Sequence, residues 1–142
     1  MLKDIHSPAD IRGLSTDELK GLAGEIRREL IDVVSENGGH LASNMGAVEL
    51  TLALHIAFDA PKDRIVFDVG HQCYVHKMLT GRAQAMRTLR RKDGLSGFPR
   101  RDESEYDVND AGHASDAISL ALGLARARDL AGQEHCVVAV VG

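Results

Sequence analysis

The segment "HCVVAVVG", residues 135–142, restricts the fold more than any other feature of this chain. Its apolar run from Cys136 to Val141 is unbroken, whereas a strand with one wet face would alternate. Unbroken β-branched runs fill strands buried on both faces, and such strands belong to parallel sheets. A second β-rich run, "RIVFDVG", lies at 64–70. Stretches of helical periodicity separate the two, which predicts an α/β fold with a parallel sheet and flanking helices. Two strands make a small sheet, so the pattern predicts a part of a larger fold, or partner strands from another chain. In such sheets ligands sit beyond the carboxyl ends of the strands. The carboxyl ends of the two runs, at Gly70 and Gly142, are therefore the first places to look for chemistry.

The helices carry their own punctuation. "LSTDEL" reads as a capping box, with Ser15 accepting a backbone N–H and Glu18 reaching back. Leu19, Leu22, Ile26, Leu30 and Val33 then recur at helical spacing up to the glycines of "ENGGH". "GAVELTLALHIAF" is apolar except for Glu49, Thr51 and His55, a helix with so little polar face that it belongs inside something large. Helices are also predicted over 71–80, as a basic amphipathic segment over 82–90, and over 115–129 with Ile118, Leu122 and Ala125 on one side. The glycine- and charge-rich segment between 92 and 115 is long enough to be a functional loop.

Composition excludes several classes. The 142 residues, 44% hydrophobic, suffice for a core. The 21 acidic and 17 basic residues are interspersed, which gives no field for nucleic acid or an anionic membrane. The N-terminus has no signal-peptide core, and no apolar run approaches the roughly 18 residues of a spanning helix. Cys73 and Cys136 form no CxxC pair, so reduced thiols in a cytoplasmic protein are expected. No zinc-protease, paired-cysteine or calcium-loop spacing occurs, and no metal site is assigned.

Among the histidines, three stand at junctions. His40, in "NGGHLASNMG", follows a helix end in a glycine-bearing loop, where an imidazole can relay protons or simply bond to the helix terminus. His71, after "FDVG", occupies the carboxyl end of the first strand; it can donate to a phosphate or carbonyl-derived oxygen, or cap the next helix. His76 lies five positions on, turned around the helix axis, and suits packing or surface roles. His113, in "DAGHASDAIS", opens a helix whose N–H groups and Ser115 hydroxyl can bind phosphate, although Asp116 there equally suits a plain cap.

At these residues the chain resembles the N-terminal part of the 1-deoxy-D-xylulose-5-phosphate synthase family, transketolase-like enzymes dependent on thiamine diphosphate. The resemblance runs through "GGHLASNMGAVELTLALH", "DRIVFDVGHQCYVHKMLTGR", "GLSGFPRRDESEYDV" and "AGHAS" followed by "ALGLARARDL". It implies a partial thiamine-diphosphate-binding fold. The implied activity is the decarboxylating condensation of pyruvate with D-glyceraldehyde 3-phosphate, which starts the non-mevalonate isoprenoid route and feeds thiamine and pyridoxal synthesis. By position, it implies proton transfer for His40 and the aldehyde-phosphate side for Ser43. It puts His71 at the cofactor diphosphate and the intermediate's oxygen, and Gly112, His113, Ala114 and Ser115 against the diphosphate. Self-association as a homodimer also follows from it.

Family members continue past such a terminal strand with an aspartate that begins the magnesium site. The expectation is thus that residues 1–142 are the N-terminal part of the diphosphate-binding domain, cut before the magnesium motif. Thiamine diphosphate and Mg2+ would serve the intact parent, with neither held tightly by this segment alone. A subunit of a split enzyme and a non-catalytic interaction module are the alternatives.

Overall fold

A computed structural model describes all residues, 1–142. The chain opens with two short 3-10 turns and then enters α1, Thr16–Asn37. The capping box forms as expected: Glu18 N–H donates to Ser15 Oγ at 3.3 Å, and Ser15 N–H donates to Glu18 Oε2 at 2.7 Å. Gly38, at φ 73°, ends the helix in a conformation that favours glycine. Leu22, Ile26, Leu30 and Val33 line its buried stripe, each contributing roughly 1.5–3 kcal/mol relative to exposure.

"LASNMG", expected as loop, is instead a short helix, α2, Leu41–Gly46, with His40 as its N-cap residue. It leads into α3, Val48–Ala57. The expectation of an all-round buried helix holds for one side only. Val48, Thr51, Leu52, Leu54 and His55 are buried, while Leu50 and Ile56 remain 49% and 38% exposed.

Strand β1, Arg64–Phe67, and β2, Val137–Val140, form a two-stranded parallel sheet in the register Arg64↔Val137 to Phe67↔Val140. The pair is extended at both ends, where Arg64 N–H donates to Cys136 O at 2.9 Å and Asp68 N–H to Val140 O at 2.8 Å. Contrary to the reading of β2 as a fully buried strand, only Val140 is buried, because β1 is its sole neighbour.

The predicted 71–80 helix is regular only over α4, Tyr74–Lys77. A wider turn, Met78–Arg82, follows and breaks at Thr80 and Gly81. Gly81, at φ 85°, passes so close to the His6 carbonyl oxygen that a Cβ would stand 2.7 Å from it. The basic helix expected over 82–90 is reduced to a 3-10 segment, Gln84–Thr88, and Arg82 points inward rather than to solvent. Helix α5, Ala117–Leu130, then connects to β2.

The main core gathers residues of the N-terminal turns, α1, α3, α4 and the Met86–Leu95 stretch. Beneath it lies a polar cluster. Asp107, 4% exposed, accepts from Arg82 Nη1 and Nη2 at 2.8 Å each, and from His76 Nε2 at 2.9 Å. Glu103 accepts from Lys77 Nζ and, more distantly, from Arg82. Two carboxylates thus pin the long 92–115 loop to the end of α4. Its expected role as a functional loop is matched by a structural one. No helix is long and apolar enough to cross a membrane.

Candidate functional site

At the carboxyl end of β1 the backbone turns sharply. Val69 takes φ 59°, a strained value for a β-branched residue, and Gly70 takes φ 83°. A Cβ at Gly70 would collide with the Pro99 ring. This turn delivers His71 to the start of α2, where its ring meets that of His40 edge to face at 5.3 Å. Phe98, from the long loop, flanks His40 at 6.1 Å. The two histidines read from the sequence, separated by two helices and a strand, therefore share one small site.

Their rings are free for chemistry. His71 Nδ1 is buried and has no partner within the protein, so it caps no helix. The cap of α4 falls instead to Asn44, whose Oδ1 accepts Tyr74 N–H at 2.9 Å. His40 uses only its backbone: its N–H donates to Tyr74 Oη at 3.3 Å and its carbonyl accepts from Asn44 Nδ2 at 2.6 Å. Partial desolvation, then the nearby His71 and Arg90, hold the His40 imidazole below its ordinary pKa. A ring kept neutral in this way can both accept and donate a proton near neutral pH.

Gly112 to Ser115 form the approach to α5. Gly112 takes φ 136° and Ser115 φ 69°. Two of the N–H groups expected to face a phosphate here are already engaged. Ser115 N–H donates to Asp68 Oδ2 and Ala117 N–H to Asp68 Oδ1, each at 3.2 Å. The cap that Asp116 was expected to supply thus comes from Asp68, at the end of β1, and Asp116 Oδ1 is left buried without a partner. His113 Nδ1 lies 3.0 Å from the Ala114 carbonyl, and both residues are exposed. Ser43 stands half-buried on α2, one residue before Asn44.

Other candidates separate cleanly. His76 is fully packed and bonded, as its sequence position suggested. Burial pushes the Cys73 thiol up to about 12, which removes it as a nucleophile at neutral pH. Nowhere do three or more His, Cys, Asp or Glu side chains gather closely enough to hold a metal ion. Sequence reading missed Asn44, Asp68, Tyr74 and Phe98. Asp68 was open to inference, as a lone carboxylate ending an apolar strand, while the other three are recruited by tertiary contacts.

Fold and site together define an α/β protein whose paired histidines meet at the ligand-facing end of a parallel strand. Over residues 2–142 the chain matches the family described as 1-deoxy-D-xylulose-5-phosphate synthase, and it belongs to that family. Proteins of that name from Syntrophomonas wolfei and Thiobacillus denitrificans are 58% and 59% identical to it over 142 residues. A 1-deoxy-D-xylulose-5-phosphate synthase 2 of Geobacter sulfurreducens is 60% identical over the same length. Each alignment covers 100% of this chain and 22%, 23% and 23% of the respective relative. The chain therefore spans under a quarter of the length of the curated relatives it matches.

Proposed function

We propose that this chain forms the N-terminal part of the diphosphate-binding domain of a thiamine-diphosphate-dependent transferase. The enzyme condenses pyruvate and D-glyceraldehyde 3-phosphate, with loss of carbon dioxide, to 1-deoxy-D-xylulose 5-phosphate. The observation that carries this reading is the meeting of His40 and His71 beyond β1 in a chain of this family. When bound, thiamine diphosphate supplies the electron sink for decarboxylation, and the protein supplies orientation and proton transfer.

The residues present suit the organic cofactor. The buried, unpartnered Nδ1 of His71 is a group that a phosphate or substrate oxygen would satisfy. The exposed Gly112–Ser115 backbone and Ser115 hydroxyl lie on the approach to the same strand end. His71 would hold the diphosphate side and His40 would move a proton at the reacting centre, with Ser43 toward the phosphate of the aldehyde. The side chains of this chain make no magnesium cage, so no step is assigned to the metal here. Self-association of the parent as a homodimer rests on membership of the family.

The test is an assay of the full-length protein for product formation and carbon dioxide release from the two substrates. Absence of both with added thiamine diphosphate and magnesium would end the proposal. Within it, His71→Ala is expected to lower turnover strongly, while His76→Ala chiefly lowers stability. Equal turnover losses in two folded variants would contradict that division.

A further inference from the structure

Asn44 is fully buried between the segments that carry the two histidines, and all of its bonds run to backbone. A primary amide offers two N–H donors and one carbonyl oxygen. Here every one is used. Nδ2 donates to His40 O at 2.6 Å and to His71 O at 2.8 Å, while Oδ1 accepts Tyr74 N–H at 2.9 Å. The partners also fix the amide's orientation, because the flipped form would set its oxygen against two carbonyl oxygens. Tyr74 closes the ring, since its Oη accepts the His40 N–H. A Cβ on Gly39 would reach 2.8 Å from that same oxygen, so the chain entering His40 is threaded closely past it.

From this we infer that Asn44 is a positioning residue, whose amide ties the His40 and His71 backbones together and so sets the spacing of their two imidazoles. No other side chain bonds to both segments. His40 stands at the start of α2 and His71 at the turn after β1, elements that share no backbone hydrogen bond of their own. The catalytic consequence rests on the function proposed above, whereas the tether itself does not.

Asn44→Asp separates the tether from a simple cap. Aspartate keeps the shape and the acceptor for Tyr74 N–H, but it presents an oxygen where two carbonyls need donors. In the full-length protein, Asn44→Asp and Asn44→Ala are both expected to lower kcat by about 100-fold, the scale of a misplacement near 1 Å. The acidic limb of the kcat profile should also move to higher pH, as His40 leaves the neighbourhood of His71. Tyr74→Phe, which keeps both Nδ2 bonds, should lose far less. Histidine-selective NMR of the same variants should show both ring signals displaced, a readout that needs no synthase activity. Wild-type kcat, pH profile and ring signals in folded Asn44→Asp would overturn the inference, leaving Asn44 a cap of α4 alone. An inactive wild type would end the functional proposal, and the ring signals would then decide the tether by themselves. Should both variants fail to fold, Asn44→Ser retains one donor and carries the same readouts: displaced rings support the tether and unmoved rings refute it.

Discussion

Helices α1 and α5 are both rich in apolar side chains, and the structure treats them oppositely. The stripe of α1 is sealed within a core cluster of 19 residues. Helix α5 buries only Ala117, while Ile118, Leu122 and Leu130 stand 66%, 64% and 80% exposed. The cluster around the β1–β2 pair holds five residues. Apolar spacing thus specifies a face to be covered and says nothing about what covers it. The α1 face finds its partners within 142 residues; the α5 face gains packing energy only when another surface meets it.

The largest expected effect lies in the first region. Asp107 receives Arg82 through two bonds and His76 through a third, all out of water. Burial alone would raise its carboxyl, but the Arg82 and His76 hydrogen bonds outweigh that and hold it well below the usual range. Although His76 and Asp107 lie at ion-pair distance, burial keeps the imidazole neutral, so the contact is a hydrogen bond to a carboxylate that Arg82 balances. Asp107→Ala leaves a guanidinium that is 8% exposed with only the more distant Glu103 as counter-charge and should cost up to about 3–5 kcal/mol by urea denaturation. A loss below roughly 1 kcal/mol would mean that the polar cluster does not anchor the loop.

A smaller effect appears on titration. His55 Nε2 and His76 Nδ1 stand 3.0 Å apart, forming a chain Asp107–His76–His55 in which each neutral ring donates its Nε2 proton to the next acceptor. Burial, then His76 and Arg12, push the His55 imidazole down to about 3. Burial likewise lowers His76 against the raising pull of Asp107, with Arg82 and Lys77 adding to the lowering. Both groups bind fewer protons folded than unfolded. Their stabilisation is therefore complete above the unfolded value near 6.5 and is lost as pH falls below it, at up to about 1.4 kcal/mol per pH unit for each proton. Denaturation midpoints between pH 7 and 5 should show this fall, and His55→Phe should make it shallower. A flat profile would show that the histidine pair is wet or charged in the folded protein.

Local chemistry explains what the sequence disclosed. Ser15, Glu18 and Gly38 act within a few residues of themselves, so the limits of α1 could be read directly. The strands could also be read, because β-branched runs need no context to be recognised. Around 71–90 the outcome depended on residues distant in sequence: the His6 carbonyl crowds Gly81, and Asp107 draws Arg82 inward. His40 and His71 were legible as junction residues, but their contact was not, since Asn44 and Tyr74 join segments 27 and 34 residues apart. The Asp68 cap of α5 spans 49 residues. No periodicity signals such a bond.

The smallest predicted effect is the sharpest test of the comparison. Leu30→Ala, in the sealed stripe, should cost about 2–5 kcal/mol, through lost burial and the cavity left behind. Leu122→Ser removes a side chain of similar size from the open face of α5 and should change the stability of the 142-residue chain by no more than about 0.5 kcal/mol. Serine lowers helix propensity slightly, which already accounts for a few tenths. If Leu122→Ser costs well over 1 kcal/mol, the side chain must be covered in solution. A midpoint that then rises with protein concentration would identify a second copy of the chain as the cover, because association stabilises by mass action. A midpoint independent of concentration would mean that α5 closes onto its own chain, and the contrast with α1 would be one of degree.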